Sequence, residues 1–183
     1  MVLGLVLGIV LVIAIIMFTY YYNRLVTLSN EIDNSLSQID VQLKKRADLV
    51  PNLLESVKGY MKHEKAVITE VTNARKALIG ATTLQKKVQA GSQLESALKS
   101  IFAIAENYPQ LKASDTFVHL QQELSAVEDK IAYARQFYND STLSYNNACT
   151  TFPGTLFAKI YNKQAKKFLQ IESVDRKPVK VKF

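Results

Sequence analysis

The chain has 183 residues, a formal net charge of +7, no tryptophan and a single cysteine. One cysteine excludes an internal disulfide framework, and only six glycines and four prolines interrupt the chain, which favours long helices over many turns. Residues 159–183 hold eight basic and two acidic side chains, a net of +6, whereas the other 158 residues carry +1. A nearly neutral body with a basic tail argues against a nucleic-acid-binding face and for a local electrostatic contact.

Residues 1–22 predict a single transmembrane anchor. No charged side chain occurs in residues 1–18, and Tyr20, Tyr21 and Tyr22 follow where an aromatic belt would meet the lipid headgroups. A helix of roughly 20 residues spans the hydrocarbon core, and the basic start and small-residue cleavage site of a signal peptide are absent, so the anchor is expected to stay uncleaved. Arg24, the first basic residue, follows the span, which favours a cytoplasmic body.

Gly4 and Gly8 form a G-x-x-x-G pair within the anchor. Such a pair lets two transmembrane helices approach closely enough for their backbones to pack. It is a candidate dimer contact, although glycine is also simply frequent in membrane helices.

Apolar residues after the anchor follow the three-four spacing of a helix. Pro51 falls inside this run, where it removes a backbone donor and disfavours helical geometry at Val50. Because the apolar phase continues across Pro51, we expect a kinked continuous helix up to about Ile79, with a reversal at Pro51 as the alternative. The apolar positions are Leu25, Leu28, Ile32, Leu36, Ile39, Leu43, Val50, Leu53, Val57 and Tyr60.

Residues 80–91 are expected to hold the first clear turn, and a second periodic helix follows until Pro109 stops it. Ser114 or Asp115 can cap the next helix, which has the strongest repeat in the chain, an alternation of three and four over about five heptads. The sequence thus predicts an all-α fold, one transmembrane helix followed by an elongated antiparallel helical bundle with coiled-coil-like packing. The repeat comprises Phe117, Leu120, Leu124, Val127, Ile131, Ala134, Tyr138, Ser141, Tyr145, Ala148 and Phe152.

After Phe152, Pro153 and Gly154, an amphipathic segment carries lysines largely on one side. We expect three regions, an anchor at 1–22, a helical bundle at 23–158 and a basic amphipathic tail at 159–183. Four lysines of the tail are candidate contacts to anionic lipid, namely Lys159, Lys163, Lys166 and Lys167.

Several motifs together resemble the LemA family. Residues 37–53 read SQIDVQLKKRADLVPNL, and further matching segments are YN at 22–23, LV at 25–26, VKGY at 57–60, AENYP at 105–109, LQQEL at 120–124, ARQFYN at 134–139, YN at 145–146 and FP at 152–153. The resemblance covers residues 20–158 and implies a bacterial single-span membrane protein with a helical body. The chain departs from the family after the Phe-Pro turn, where Ile160, Tyr161, Asn162 and Lys163 stand in place of a Gly-Phe pair and an aromatic-Glu segment.

Side chains that could perform chemistry are few. His63 and Glu64 start a zinc-protease pattern, but Val67 stands where the second histidine is needed. His119 is expected on the surface and Cys149 in the packing of the long helix. No catalytic, metal-binding or cofactor-binding residue is therefore predicted, and the chain is not expected to be an enzyme.

A dense polar group surrounds Pro51, and it can either fix the register of the bundle or form a subunit interface. From it we take Asp40, Lys44, Arg46 and Asp48 as candidate interface residues. The resulting hypothesis is a non-catalytic scaffold that self-associates at the bacterial cytoplasmic membrane and contacts lipid through its tail. The alternative is a signalling or adaptor module that binds a cytoplasmic or membrane partner protein, whose identity the sequence does not specify.

Overall fold

The computed structural model describes residues 1–169. This part of the chain holds six helices and no strand, which confirms the all-α prediction. The helices are α1 (Val2–Lys58), α2 (Lys65–Gly80), α3 (Leu84–Ala105), α4 (Pro109–Lys112), α5 (Asp115–Thr150) and α6 (Gly154–Ile160). The second half of the predicted tail, with Arg176, Lys177, Lys180 and Lys182, lies outside the described residues.

Helix α1 joins the apolar segment to the first helix of the bundle without a break. It passes through Pro51, as expected, but the predicted extension to Ile79 is wrong, because α1 ends at Lys58 and α2 starts only at Lys65. Gly59 follows the last helical residue, and the amide of Met61 still bonds to the Val57 carbonyl at 2.9 Å. Met61 is fully buried, so the turn itself contributes an apolar side chain to the core. The predicted apolar position Tyr60 is instead 42% exposed, because the chain turns after Lys58 and Met61 takes the buried position.

The carbonyl that Pro51 leaves without its helical donor is bonded by another helix. In an α-helix the amide of residue 51 would donate to the carbonyl of Ala47, and proline has no such hydrogen. Arg75 of α2 donates from Nε to this Ala47 oxygen at 2.7 Å. The proline is therefore accommodated within α1 by a cross-helix hydrogen bond.

The described chain divides into two compact units, one made of residues 1–36 with the described residues from 135 onward and the other of residues 37–134. In the second unit, parts of α1 and α5 pack with α2 and α3. Gly91 of α3 faces α1 closely, since a Cβ at this position would lie 2.7 Å from a methyl carbon of Leu43. The fully buried core includes Ile39, Val50, Leu53, Val57, Val71, Leu94, Ile101 and Ile131.

In the first unit, the C-terminal part of α5 runs antiparallel to α1, and α6 folds back beside both. Gly154 begins α6 at a position where a Cβ would overlap the Ala148 carbonyl oxygen and come within 3.1 Å of the Tyr21 ring. The predicted heptad positions from Phe117 to Ala148 are all buried, which confirms the helical face of α5. Phe152 is 81% exposed, because α5 already ends at Thr150.

Candidate functional site

Arg46, one of the predicted interface residues, lies in the interior of the second unit with 1% of its surface exposed. Its guanidinium forms an ion pair with Glu128 of α5 and donates to the Gly91 carbonyl of α3 at 3.1 Å. A buried cation needs such partners, since an isolated one is costly to desolvate. Arg46 thus links three helices of its own unit, in keeping with the register role considered for this polar group.

The other three predicted interface residues, Asp40, Lys44 and Asp48, line one open groove of about 410 Å³ on the second unit. The C-terminal end of α2 and the start of α3 form its other side. Lys87 of α3 reaches across to Asp40, with Nζ 2.5 Å from a carboxylate oxygen. Apolar side chains are open in the same place, since Val41 is 61% and Ile79 is 59% exposed. We call this the α1–α2–α3 groove, with Asp40, Val41, Lys44, Asp48, Ile79 and Lys87 as its defining residues.

Lys166, a predicted lipid contact, is half-buried and engaged with protein groups in the first unit. Its Nζ donates to Ser29 Oγ at 3.0 Å, lies 3.8 Å from a carboxylate oxygen of Asp33, and sits 5.3 Å from the ring centre of Tyr145. This arrangement combines a hydrogen bond, an ion pair and a cation–π contact. Lys159, Lys163 and Lys167, the other three predicted lipid contacts, are exposed.

Residues 163–169 leave α6 and run along α5 without helical structure. Asn146 of α5 bonds both backbone groups of Lys166, donating to its carbonyl at 2.9 Å and accepting from its amide at 2.8 Å. Asn139 does the same for Leu169, at 3.2 Å and 2.9 Å. The Tyr138 hydroxyl donates to the carbonyl of Lys167 at 2.9 Å. The expected amphipathic segment is therefore helical only to Ile160 and extended beyond it.

Aromatic side chains join α6 to the end of the apolar segment of α1. The rings of Phe157 and Tyr21 stack with centres 4.8 Å apart, and Phe18 meets Tyr161 edge-on at 5.0 Å. The Tyr161 hydroxyl also donates to the Phe18 carbonyl at 2.7 Å. These contacts place α6 level with the predicted aromatic belt.

Gly4 and Gly8, the predicted dimer pair, have nothing within 4 Å of an added Cβ. The apolar segment around them is the one stretch of the described chain that is long and apolar enough to cross a membrane. None of the 18 residues of its most apolar part is buried. Both glycines are therefore open to a neighbouring helix, and their pairing stays a prediction.

Residues of chemical interest are dispersed. His63 and His119 are exposed, and residues 1–169 contain no group of side chains that could hold a metal ion. Cys149 is buried, and this burial raises the pKa of its thiol, against smaller opposing effects of Tyr145 and Lys163. Burial, with a contribution from Cys149, raises the pKa of Tyr145 to about 12. Both groups are thus held neutral within the packing.

Several of these residues could not be identified from the sequence. Arg75 and Lys87 gave no signal, because their roles depend on which helix packs beside them. Asn139 and Asn146 did give one, since each follows a tyrosine and the two Tyr-Asn pairs stand seven residues apart. A seven-residue spacing places both pairs on the same face of α5.

The fold defines the protein as a membrane-associated all-α protein in which an apolar helix continues directly into a helical bundle. Residues 35–183 match the model of the LemA family. The protein named LemA of Metamycoplasma hominis is 30% identical over 172 residues, which cover 91% of this chain and 78% of that protein. The chain belongs to the LemA family.

Two magnetosome proteins are also similar to this chain. MamQ of Magnetospirillum gryphiswaldense is 26% identical over 183 residues, and MamQ 2 of Paramagnetospirillum magneticum is 24% identical over 184 residues. Both alignments cover 86% of this chain, but only 65% and 68% of the respective magnetosome proteins. The chain thus spans about two thirds of the length of these relatives.

Proposed function

We propose that this protein is a non-catalytic scaffold that self-associates at the bacterial cytoplasmic membrane, with its body in the cytoplasm. The observation that supports it is the α1–α2–α3 groove, where apolar and charged side chains lie open together. Exposed apolar groups rimmed by charge are typical of protein interaction sites. The anchor supports the membrane location. Because it confines all copies to one plane, it also raises the rate at which they meet.

A second copy of the same chain suits the groove. An interface with two-fold symmetry brings a patch against itself, so the patch must carry groups complementary to one another. The groove offers Asp40 and Asp48 as acids, Lys44 and Lys87 as bases, and Val41 and Ile79 as apolar centres. Acids can therefore face bases of the partner copy while the apolar centres meet.

The oligomeric mass of the full chain in several mild detergents tests this proposal. Wild-type protein should run as a discrete oligomer at micromolar concentration, and Val41→Glu with Ile79→Glu should shift it to smaller species without loss of helical content. Val118→Glu is the matched control, because Val118 is also exposed on the same unit but lies on α5. A strictly monomeric wild-type protein in every detergent would refute the scaffold.

The adaptor alternative predicts a different result for the same variants. A monomeric wild-type protein that crosslinks in cells to one defined partner, and loses that partner with Val41→Glu and Ile79→Glu, would replace the scaffold by an adaptor. Crosslinks that connect only copies of this chain would favour self-association.

We further propose that α6 lies in the membrane interface and that Lys159, Lys163 and Lys167 contact anionic headgroups. Support comes from the aromatic contacts of α6 with Phe18 and Tyr21, and from Leu156 and Ile160, which are 52% and 64% exposed beside these lysines. Only Lys159 of the three lysines lies on α6, and Lys163 and Lys167 follow it in the chain. Apolar and basic side chains together are typical of segments that lie at a membrane interface.

Fluorescence of a probe at Leu156→Cys, in a Cys149→Ser background, tests the position of α6. In vesicles with anionic lipid, quenchers attached to the upper acyl chain should reduce the signal, and Gln at the three lysines should weaken this quenching most at low salt. A probe at exposed Val118 provides the control. Equal quenching at both positions, or none at residue 156, would contradict the proposal.

The cytoplasmic orientation rests on Arg24, which follows the span without a basic residue before it. A C-terminal fusion to alkaline phosphatase should be inactive in cells, whereas a fusion to green fluorescent protein should fluoresce. The opposite pair of results would place the body outside.

A further inference from the structure

The two Tyr-Asn pairs of α5 hold an extended segment by its backbone. Five hydrogen bonds join Tyr138, Asn139 and Asn146 to main-chain groups of residues 166, 167 and 169, three donated by the side chains and two by the main-chain amides. Each asparagine bonds both the amide and the carbonyl of one residue, as a neighbouring β-strand would. Recognition of this kind depends on an extended backbone and hardly on side-chain identity.

The spacing of the asparagines fits an extended chain. Seven helical residues advance by about 10.5 Å at 1.5 Å each. Three residues of an extended polyproline II chain advance by about 9.3 Å at 3.1 Å each, and its period of three returns every third residue to the same side. Asn139 and Asn146 are seven residues apart, and their partners Leu169 and Lys166 are three apart in the opposite direction. One heptad of α5 is therefore the right length to bind every third residue of such an extended chain running antiparallel to it.

One lysine fixes the register of the bound segment. Lys166 reaches from the segment to Ser29 and Asp33 of α1 and lies over the Tyr145 ring of α5. A shift that puts Ala165 in the place of Lys166 would lose this contact, and only Lys167 among the adjacent residues could replace it. We call this surface the strand site, defined by Ser29, Asp33, Tyr138, Asn139, Tyr145 and Asn146.

The bound segment is attached loosely compared with the helices. Lys163, Gln164, Ala165 and Lys167 are exposed, and Phe168 is 48% exposed. Each hydrogen bond contributes a net of about 0.5–1.5 kcal/mol, so the five together contribute roughly 2.5–7.5 kcal/mol, and the segment can be released while the apolar contacts between α1 and α5 remain. Its departure would leave the amides of both asparagines without their backbone partners, ready for another strand.

We propose that the strand site is an exchangeable binding site that accepts residues 163–169 of a second copy in place of the chain's own. The inference rests on the proposed self-association and gives it a second contact. The same hydrogen bonds form in either arrangement, which is why exchange of an identical segment is a low-cost route to assembly. The segment can turn away from α5 after Asn162, which ends α6 in a Schellman motif with a positive φ of 51°. The three residues that follow, Lys163, Gln164 and Ala165, are exposed.

Photocrosslinking between two distinguishable full-length copies in vesicles tests the exchange. The first copy carries a photoreactive phenylalanine in place of Phe168 together with Asn139→Asp and Asn146→Asp, which place carboxylate oxygens against the segment's carbonyls. The second copy is wild type in α5. We expect a crosslinked product of both copies that maps to α5 of the second.

Two variants of the second copy decide the origin of this product. Asn139→Asp with Asn146→Asp should reduce the product at least about tenfold, whereas Asn147→Asp, at an exposed neighbouring position, should leave it unchanged. Absence of the product in a preparation whose native mass is oligomeric would overturn the exchange and leave the scaffold intact. A product that is insensitive to the asparagine variants would overturn it as well.

A binding assay with a synthetic peptide of residues 162–169 separates the site from the oligomer. A full-length receptor with Lys166→Glu should release its own segment and bind the labelled peptide saturably in fluorescence anisotropy. Adding Asn139→Asp and Asn146→Asp should weaken this binding at least about tenfold. Absence of binding would refute the strand site even if the protein is oligomeric, whereas a monomeric protein that binds the peptide would refute the scaffold and the exchange between copies but not the site itself.

Discussion

Arg75 and Pro51 are 24 positions apart, yet they act on the same backbone oxygen. Pro51 removes the amide that would bond to the Ala47 carbonyl, and the Nε of Arg75 replaces it at 2.7 Å. A carbonyl left unpaired in a partly buried position costs free energy, and a charged donor forms a stronger hydrogen bond than a neutral one. The two residues should therefore be coupled energetically.

We expect Arg75→Met to lower the free energy of unfolding by about 1.5–3 kcal/mol. In a Pro51→Ala background the new amide can bond to Ala47, so the same substitution should cost about 1 kcal/mol less. Urea unfolding of the four proteins in detergent, followed by circular dichroism, measures this difference. Lys76→Met, at the exposed adjacent position, is the control. Equal losses in both backgrounds would show that Arg75 does not serve Pro51.

Tyr145 gives the first unit a dependence on alkaline pH. Its pKa is raised from 10 to about 12, first by burial and then by Cys149. Because the folded-state pKa lies above the unfolded one, the contribution of Tyr145 to stability is complete below pH 10 and is lost as the pH rises to about 12. Tyr145→Phe should flatten the fall in melting temperature between these values, while Tyr133→Phe, at an exposed position, should not.

At the scale of single residues, the sequence predicted which side chains are buried better than it predicted which side chains bond to each other. The apolar spacing identified Ile39, Val50 and Leu53 correctly, because burial follows the helical period. Arg46 also stands at a position of this helical spacing. Its ion pair with Glu128, however, requires α1 and α5 to be adjacent. Such a pairing is a property of the tertiary structure, so neither spacing nor composition could reveal it.

The helices show how far periodicity extends. The heptad repeat predicted α5 and its buried face, but it continued to Phe152, two residues beyond the end of the helix at Thr150. The apolar spacing of α1 likewise continued to Tyr60, which is exposed because the chain turns after Lys58 and Met61 takes the buried position. The amphipathic segment after Pro153 is helical only to Ile160, and backbone hydrogen bonds to Asn139 and Asn146 hold the residues after it along α5.

Helix α6 depends on a glycine at its first residue. A methyl group at Gly154 would overlap the Ala148 carbonyl oxygen and press on the Tyr21 ring. We expect Gly154→Ala to cost about 1–3 kcal/mol through displacement of α6 from α5 and α1. Gly80→Ala is the control, because nothing lies within 4 Å of its added Cβ, and alanine there should be neutral or stabilising.

Hydrogen–deuterium exchange measures the local loss of stability that Gly154→Ala should cause in α6. Amides of α6 and of the segment after it should lose protection in Gly154→Ala, while those of α2 and α3 keep theirs. Unchanged protection of α6 would mean that the helices separate to admit the methyl group at little cost.

For the whole molecule, the class of protein and its association with a membrane could be predicted from the sequence. A charge-free apolar run is visible without any tertiary information, because the bilayer constrains length and polarity directly. The α1–α2–α3 groove, in contrast, depends on the tertiary structure. Asp40, Lys44 and Asp48 were chosen for their density in sequence, but the groove that groups them is completed by Ile79 and Lys87 from two other helices.

The anchor adds a contact that can be tested separately from the groove and the strand site. Gly4 and Gly8 lie one turn apart with open space around both, so a neighbouring helix can approach their backbones. Isoleucine at both positions should keep the span apolar but block the approach. We expect about a five- to tenfold weaker association, corresponding to about 1–1.4 kcal/mol.

Energy transfer between two labelled populations of the full chain, diluted stepwise in vesicle lipid, measures this association. Gly4→Ile with Gly8→Ile should shift the dilution curve to higher protein density, whereas Ala14→Ile, which also enlarges a small residue in the anchor, should leave it in place. The groove variants should shift the curve further when combined with the glycine variants, because the two contacts lie on different parts of the chain and their free energies should add. A curve that is unchanged by both glycine substitutions, or moved equally by Ala14→Ile, would leave the bundle alone to hold the copies together.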